Sequence, residues 1–223
     1  NAAEQVSAGG GQCRIEWNAS SFFQCDKRTR IDGCTLHGRR QIVARAPIRR
    51  ASFATDNAGV VRFAAGRESD NISKLFYRAD EKAEWQLVND EGKTRRVEWP
   101  IGFSPDNRTA YLQVEQAKGP DAVVAYDVAT GERKTLVQDD NVDPYDYIYE
   151  AGAGDAPVGV FLMDGKHSTV FFEANSPDAR LYKSLEAAFA GQTVLVTSTT
   201  ADGKLALVQT YNDTNPGDFY IFN

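Results

Sequence analysis

The chain is poor in the residues that build metal centres and catalytic triads, with only three cysteines and two histidines among 223 residues. Cys13, Cys25 and Cys34 form no Cys-x-x-Cys pair, and His37 and His167 lie far apart, so their spacing fits a zinc site poorly. No Gly-x-Ser-x-Gly motif occurs, and this motif carries the nucleophile of α/β-hydrolases. We therefore expect no catalytic residue, no metal and no cofactor in this chain.

Long apolar runs and basic surfaces are also missing. No run approaches the ~20 apolar residues that a membrane-spanning helix requires. Lys and Arg number 25 against 31 Asp and Glu, which gives a net charge of −6 at pH 7. A nucleic-acid-binding protein usually shows a basic face, whereas the basic residues here occur only in short clusters. The sequence thus predicts neither a membrane nor a nucleic-acid partner.

The three cysteines all lie within the first 34 residues. A disulfide between Cys25 and Cys34 would close a polar turn, as hairpin geometry allows. A Cys13–Cys25 bond is one alternative, and three unpaired thiols are another. Either bond would require an oxidising compartment, so we expect a periplasmic or secreted protein, with the cytoplasm as the alternative.

A short phrase recurs along the chain: an aromatic residue or Thr, a polar stretch with an Asp, then an alternating apolar strand. Its copies lie at residues 53–63, 103–112 and 199–208. The aspartates are Asp56, Asp106 and Asp202, so the steps are 50 and then 96, which is close to two units of 48. A period near fifty in a strand-rich chain is typical of a radial β array.

The strand pattern between these turns indicates an all-β fold. We predict a partial β-propeller of about four blades, each a four-stranded antiparallel sheet. Residues 1–12 are expected to be disordered or tag-derived, and residues 13–223 to form the propeller domain. The predicted blades are 13–48, 49–96, 97–140, 141–196 and an incomplete 193–223. Since open end blades leave sheet edges exposed, we also expect self-association.

One helix is predicted inside this all-β pattern, over residues 176–190. Ser176 is a suitable N-cap and Pro177 occupies the first helical position, where its missing N–H costs nothing. Gly191 is a stop signal. The helix is expected to cap the rim of its blade.

Three segments resemble the propeller of prolyl oligopeptidase-family serine peptidases, particularly the bacterial acylaminoacyl-peptidase and dipeptidyl-peptidase-like branch. They read Ile-Gly-Phe-Ser-Pro-Asp at 101–106, Ala-Tyr-Asp-Val-Ala-Thr-Gly at 125–131 and Asn-Asp-Thr-Asn-Pro-Gly-Asp-Phe-Tyr at 212–220. The helical stretch with Ala-Phe-Ala-Gly-Gln-Thr-Val at 188–194 adds to the likeness. The resemblance covers about 49–223 and implies the second half of that propeller.

The resemblance also implies a function. In that family the propeller screens peptide substrates for a C-terminal α/β-hydrolase domain, which this chain lacks together with its nucleophile. We therefore expect a non-catalytic domain whose partners are a peptide substrate and that hydrolase domain. The alternative is a free-standing secreted propeller that binds a protein or carbohydrate.

An acidic, aromatic run at 139–150 contains the other candidate residues. Asp143, Asp146 and Glu150 could form an acidic rim at the propeller mouth that recognises the cationic terminus of a peptide. A Ca²⁺ site is the competing interpretation, although the EF-hand spacing and its glycine are missing. A solvated connection between blades accounts for the same residues without any ligand.

Overall fold

The structure is a computed structural model that describes residues 42–152 and 156–223 in full. Of residues 1–41 it describes only the backbone segments that form strands. The Cys25–Cys34 pairing lies outside the described side chains, so it stays a prediction. The chain divides into two compact units, Asn1–Gln138 and Asp139–Asn223.

The first unit is built almost entirely of antiparallel strands. These elements are, in chain order, β1 (Gln5–Ala8), β2 (Gly11–Arg14), β3 (Phe23–Gln24), β4 (Arg30–Cys34), β5 (Arg40–Arg45), β6 (Ser52–Thr55), β7 (Val61–Arg67), β8 (Ser73–Tyr77), β9 (Gln86–Asp90), the single helical turn α1 (Glu91–Thr94), β10 (Val97–Phe103), β11 (Thr109–Glu115), β12 (Ala122–Asp127) and β13 (Arg133–Gln138). The strand orders are β1-β2, β4-β5, β3-β6-β7-β8-β9 and β10-β11-β12-β13. The last is a complete four-stranded up-and-down sheet, as predicted for a propeller blade.

The core of the first unit lies between the β6–β9 and β10–β13 strands. Alternate residues of each strand point to one face, so the apolar side chains of β7, β8, β11 and β12 meet there. Phe63 and Leu112 have no exposed surface, and the ring of Phe63 lies 5.1 Å from Tyr77 and 5.6 Å from Phe103. Such tilted aromatic contacts add stability beyond the buried area alone.

The second unit contains two three-stranded sheets and one long helix. Its elements are β14 (Asp146–Tyr149), β15 (Pro157–Met163), β16 (His167–Phe171), α2 (Pro177–Ala188), β17 (Thr193–Thr199), β18 (Ala206–Tyr211) and β19 (Asp218–Phe222). The strand orders are β14-β15-β16 and β17-β18-β19, both antiparallel. Within this unit, β19 therefore pairs only with β18.

Helix α2 begins as the sequence predicts, with Ser176 accepting the amide of Ala179 and Pro177 in the first turn. One face of the helix is part of the core of the second unit, and its place at the rim of a blade stays a prediction. Leu185 packs with the apolar residues of β17 and β18, and Tyr182 packs with those of β14 and β15. Burial raises the pKa of Tyr182 to about 12.

The predicted fold class is confirmed. The described chain is all-β, with antiparallel up-and-down sheets like those of a partial propeller and one inserted helix. The exact blade boundaries stay predictions. Residues 1–12, which were expected to be disordered or tag-derived, include the backbone of β1 and the start of β2. Each of the three Asp-containing turns joins two successive antiparallel strands, namely β6 to β7, β10 to β11 and β17 to β18.

Candidate functional site

The turn at Asp106 shows what the recurring aspartate does. Its Oδ1 accepts a hydrogen bond from Ser104 Oγ at 2.7 Å and from the Arg108 amide at 3.1 Å. The hydroxyl of Ser104 in turn accepts the amide of Thr109 at 3.0 Å. These bonds stabilise the ionised carboxylate, and the one from Ser104 lowers the pKa of Asp106 the most.

The turn at Asp202 repeats this arrangement 96 residues later. Oδ1 of Asp202 accepts Thr200 Oγ1 at 2.6 Å and the Lys204 amide at 3.2 Å, and Thr200 Oγ1 accepts the Leu205 amide at 3.1 Å. The same hydroxyl bond is the main reason that the pKa of Asp202 is lowered. In both turns the carboxylate stabilises the turn between two strands by accepting hydrogen bonds, so its role is structural.

Asp56 differs from the other two aspartates because it is buried and ion-paired. Its Oδ1 accepts the amides of Ala58 and Val60, both at 3.0 Å. Its Oδ2 lies 2.7 Å from Arg62 Nη1, and the two side chains are only 5% and 11% exposed. Burial acts to lower the pKa of Arg62, but the hydrogen bonds to Asp56 and the Tyr77 hydroxyl outweigh it and raise that pKa.

Equivalent turns of successive sheets are also joined to each other. In the first unit, the Asn57 amide donates to Asn107 Oδ1 at 3.1 Å, and Asn57 Nδ2 donates to the carbonyl of Ser104 at 2.8 Å. In the second unit, the Gly152 amide donates to Thr199 Oγ1 at 2.8 Å. The polar residues of the repeat therefore connect sheets, which explains their spacing without any reaction chemistry.

A second charge pair of the first unit joins a buried carboxylate to a partly exposed guanidinium: the side chain of Glu98 is 6% exposed and that of Arg133 is 35% exposed. Glu98, which is buried on β10, accepts a hydrogen bond at 3.0 Å from Arg133 Nη2 on β13. The guanidinium of Arg133 also lies 4.9 Å from the ring centroid of Tyr126 on β12. A cation over an aromatic face is attracted by its quadrupole, so this arrangement ties three strands of one sheet together.

His167 lies in an aromatic cluster of the second unit. Its ring is 4.9 Å from Phe161 and 5.9 Å from Tyr145, and its Nε2 is buried without a hydrogen-bond partner. Desolvation lowers the pKa of His167, while Glu186 opposes this effect. The neighbouring Ser168 follows it in β16, where successive side chains point to opposite faces. This geometry gives no nucleophile–base pair at His167.

The predicted acidic rim is spread along the chain. Asp143 is exposed, Asp146 is the first residue of β14 and Glu150 follows the last. Glu150 is four positions after Asp146 along extended backbone, which corresponds to about 13 Å between their Cα atoms. Across the described residues, no group of three or more His, Cys, Asp or Glu side chains could hold a metal ion. The rim itself stays a prediction.

The most unusual surface of the second unit is strand β19. Phe219 and Ile221 are 61% and 75% exposed, and Tyr220 and Phe222 are 41% exposed each. Leu207, which is directly opposite Ile221 on β18, is also exposed. We refer to these five residues as the β19 patch, which has two faces: Phe219, Ile221 and Leu207 lie on one side of the sheet, and Tyr220 and Phe222 on the other.

Sequence reasoning predicted this strand as part of an incomplete blade with an open edge, but it did not single out the strand's side chains as a site. A half-buried strand alternates apolar and polar residues, whereas positions 219–222 are all large and apolar. Such a continuous run is typical of a strand that is covered on both faces. The signal was therefore present as a missing alternation. In the structure, Tyr220 contacts Phe189, with the ring centroids 4.8 Å apart, and the four side chains stay 41–75% exposed.

Comparisons with known proteins give a fold-level likeness only. No protein-family model matches the chain, and no curated protein matches it. Among solved structures, the chain is similar to TolB from Acinetobacter baumannii, with 10% sequence identity and a TM-score of 0.37. The match covers 95% of this chain and 51% of the TolB chain, so this chain spans about half of that length. In the described part of the chain, no helix has both the length and the apolar composition to cross a membrane.

Proposed function

We propose that this chain is a non-catalytic, propeller-like domain that binds another polypeptide through the β19 patch. The observation that carries the proposal is the exposure of four consecutive large apolar residues on an edge strand. The face with Phe219, Ile221 and Leu207 exposes on the order of 300 Å² of mostly apolar side-chain surface. The largest apolar patch on a soluble protein is about this size and is often functional.

The residue types of the patch also suit protein binding. Aromatic residues are enriched in the buried centre of protein interfaces, whereas Lys, Glu and Asp are depleted there. Three of the five residues are aromatic, and none carries a charge. An edge strand also presents unpaired backbone groups along its free side, which a second polypeptide can pair with.

A finer form of this proposal is that the domain belongs to a prolyl oligopeptidase-like serine peptidase and screens its peptide substrates. The support is the resemblance of the segments at 101–106, 125–131 and 212–220. In this form, the purified chain hydrolyses no peptide. Peptidase activity that copurifies with the chain through every step would overturn it, and a nucleophile elbow encoded downstream of Asn223 would support it.

The binding proposal is tested with an array of immobilised extended peptides. The wild-type chain should bind a subset of apolar peptides, and the variant Phe219→Ser/Ile221→Ser should lose most of that binding. Leu87→Ser is a matched control, because Leu87 is 48% exposed on β9 in the first unit. Unchanged binding by the double variant, with an unchanged thermal midpoint, would contradict the proposal.

Carbohydrate binding is a second candidate, and the ring of Tyr145 favours it. Tyr145 is 51% exposed, and its ring lies 6.2 Å from Phe161 and 5.9 Å from His167. A half-exposed aromatic ring that is held by two neighbouring rings can stack on a sugar face. Tyr145→Ala should then abolish retention on a polysaccharide column that retains the wild type, while Phe219→Ser should not.

A further inference from the structure

Two strands of the chain occupy the same place in their sheets but have opposite exposure. In the complete sheet, Tyr126 of β12 pairs with Ala110, which lies four residues after Asp106. In the sheet of the second unit, Phe222 of β19 pairs with Ala206, which lies four residues after Asp202. Because both turns have the same hydrogen bonds, β12 and β19 are equivalent third strands with a defined register.

The equivalent residues of these strands differ sharply in accessibility. By this register, Val123 corresponds to Phe219 and Val124 corresponds to Tyr220. Val123 and Val124 are 0% and 6% exposed, whereas Phe219 and Tyr220 are 61% and 41% exposed. The larger apolar side chains are therefore on the strand that the second unit leaves open.

The fourth strand β13 covers the free edge of β12. Val137 lies opposite Val123, and Arg133 lies opposite Tyr126 with its guanidinium over the ring. The strand reads Arg-Lys-Thr-Leu-Val-Gln, with two basic residues at its start and an apolar residue four positions after the first. The sequence of β13 therefore serves as a template for a segment that can pair along the free edge of a third strand in this repeat.

The third strands of the other long sheets also contact neighbouring elements. Strand β8 pairs with β9 along its second edge. Strand β16 is an edge strand like β19, but its side chains pack against helix α2, where Phe171 lies 5.4 Å from the ring of Tyr182 and Thr169 donates to Glu186 at 2.9 Å. In β19, Tyr220 lies 4.8 Å from the ring of Phe189 at the end of α2, yet the four large apolar residues of the strand stay 41–75% exposed.

We infer that β19 accepts an extended segment of a partner polypeptide as a fourth antiparallel strand. The inference rests on the proposed binding function and specifies its mode. By the β13 template, the segment places a basic residue opposite Phe222 and an apolar residue opposite Phe219. Main-chain hydrogen bonds provide affinity in such strand addition, and alternate side chains provide specificity.

The charges around β19 agree with a basic partner. Asp218 is the first residue of β19, Asp213 lies in the preceding loop, and the whole chain carries a net charge of −6. A second copy of the chain would bring an equal negative charge. A basic, amphipathic strand avoids this repulsion and can place a cation over the ring of Phe222, as Arg133 lies over Tyr126.

The experiment uses a blocked synthetic peptide with the sequence of residues 132–138, which contains β13, and measures its binding to the intact chain. We expect a 1:1 complex with a dissociation constant of roughly 0.1–1 mM. Amide hydrogen exchange of β19 should slow in the complex. A scrambled peptide of the same composition should bind at least about tenfold more weakly, because its basic and apolar residues no longer match the register.

Backbone methylation distinguishes strand addition from side-chain docking. In a strand, the N–H groups of alternate residues face opposite edges, so N-methylation of one alternating set should abolish binding and that of the other set should preserve it. Equal binding of the two methylated peptides would overturn strand addition, although polypeptide binding through the patch would stand. No binding up to about 1 mM, or occupation of β19 by a second copy in sedimentation, would also overturn the inference.

Discussion

The buried ion pair at the first turn gives the sharpest test of how this chain is stabilised. Asp56→Ala removes the carboxylate that pairs with Arg62 and that accepts the amides of Ala58 and Val60. The guanidinium of Arg62 would then remain in a site where its side chain is only 11% exposed. Removing one member of a buried pair is costly because the other charge is left uncompensated.

The expected size of the effect follows from the remaining contacts of Arg62. Breaking a buried pair typically costs about 3–5 kcal/mol. Arg62 keeps two other acceptors, the Arg78 carbonyl at 3.0 Å and the Tyr77 hydroxyl, so the loss should lie near 3 kcal/mol, the lower end of about 3–5. For a protein of this length, that loss corresponds to a fall of about 6–12 °C in the thermal midpoint.

Asp106→Ala is the matched control, because it removes the same motif residue from an exposed turn. Asp106 accepts its two hydrogen bonds at the surface, so its loss should destabilise the fold much less than the loss of Asp56. Chemical denaturation followed by circular dichroism measures both variants. The double variant Asp56→Ala/Arg62→Met should be more stable than Asp56→Ala alone, since no charge remains unpaired. Equal losses for Asp56→Ala and Asp106→Ala would refute this reasoning.

Three further predictions concern the second unit. Leu185→Ala should lower the free energy of unfolding by about 2–5 kcal/mol, measured by denaturant titration, because Leu185 is buried where α2 meets the sheet. Gly159→Ala should destabilise by about 1–3 kcal/mol, measured as a lower thermal midpoint, since a Cβ would lie 2.6 Å from a carbonyl oxygen of β16. The pKa of His167 is lowered in the fold, so the unfolded chain takes up this proton more readily than the folded one. The contribution of neutral His167 to the free energy of unfolding should therefore be fully present above the unfolded pKa of about 6.5 and should fall as the pH drops below that value. Glu186 and Tyr145 are the titratable groups beside it. His167→Gln should flatten this pH dependence of the thermal midpoint, and an unchanged dependence would contradict it.

Much of the fold follows from short-range sequence signals. The strand–turn–strand units around Asp106 and Asp202 were predicted because Asx-type turns are encoded within six residues. Helix α2 was predicted because Ser176 and Pro177 mark its start and the apolar spacing marks its face. The three turns do occupy equivalent places between strands, so the repeat is structural and not a coincidence of spacing.

Long-range features were beyond the sequence pattern. Tyr126 and Tyr220 both lie on third strands, but they are 94 residues apart whereas Asp106 and Asp202 are 96 apart. The register accordingly pairs Tyr126 four residues past its Asp and Tyr220 six residues past, so the two tyrosines are not equivalent. Likewise, the ion pair of Asp56 forms because the β6–β7 turn brings Arg62 of β7 next to the carboxylate. The recurring Asp-containing phrase does not predict this contact, since it specifies no arginine.

The exposure of the apolar side chains of β19 was harder to foresee than the open edge of its blade, because side-chain exposure depends on what packs over a strand. Four apolar residues in a row predict burial on both faces. The sequence pattern therefore predicts a strand that is buried on both faces, whereas the side chains of β19 are exposed in the second unit. The candidate site is the place where the local pattern and the structure disagree.

The hydrogen bonds between Asn57 and the turn of Asn107 have a consequence for unfolding. They join residues 50 positions apart, so separation of the two sheets breaks them. Repeat proteins often lose their units one at a time, because each unit contacts only its neighbours. Here two sheets of the first unit share these hydrogen bonds, and the Asn57 amide should exchange with solvent when those two sheets separate.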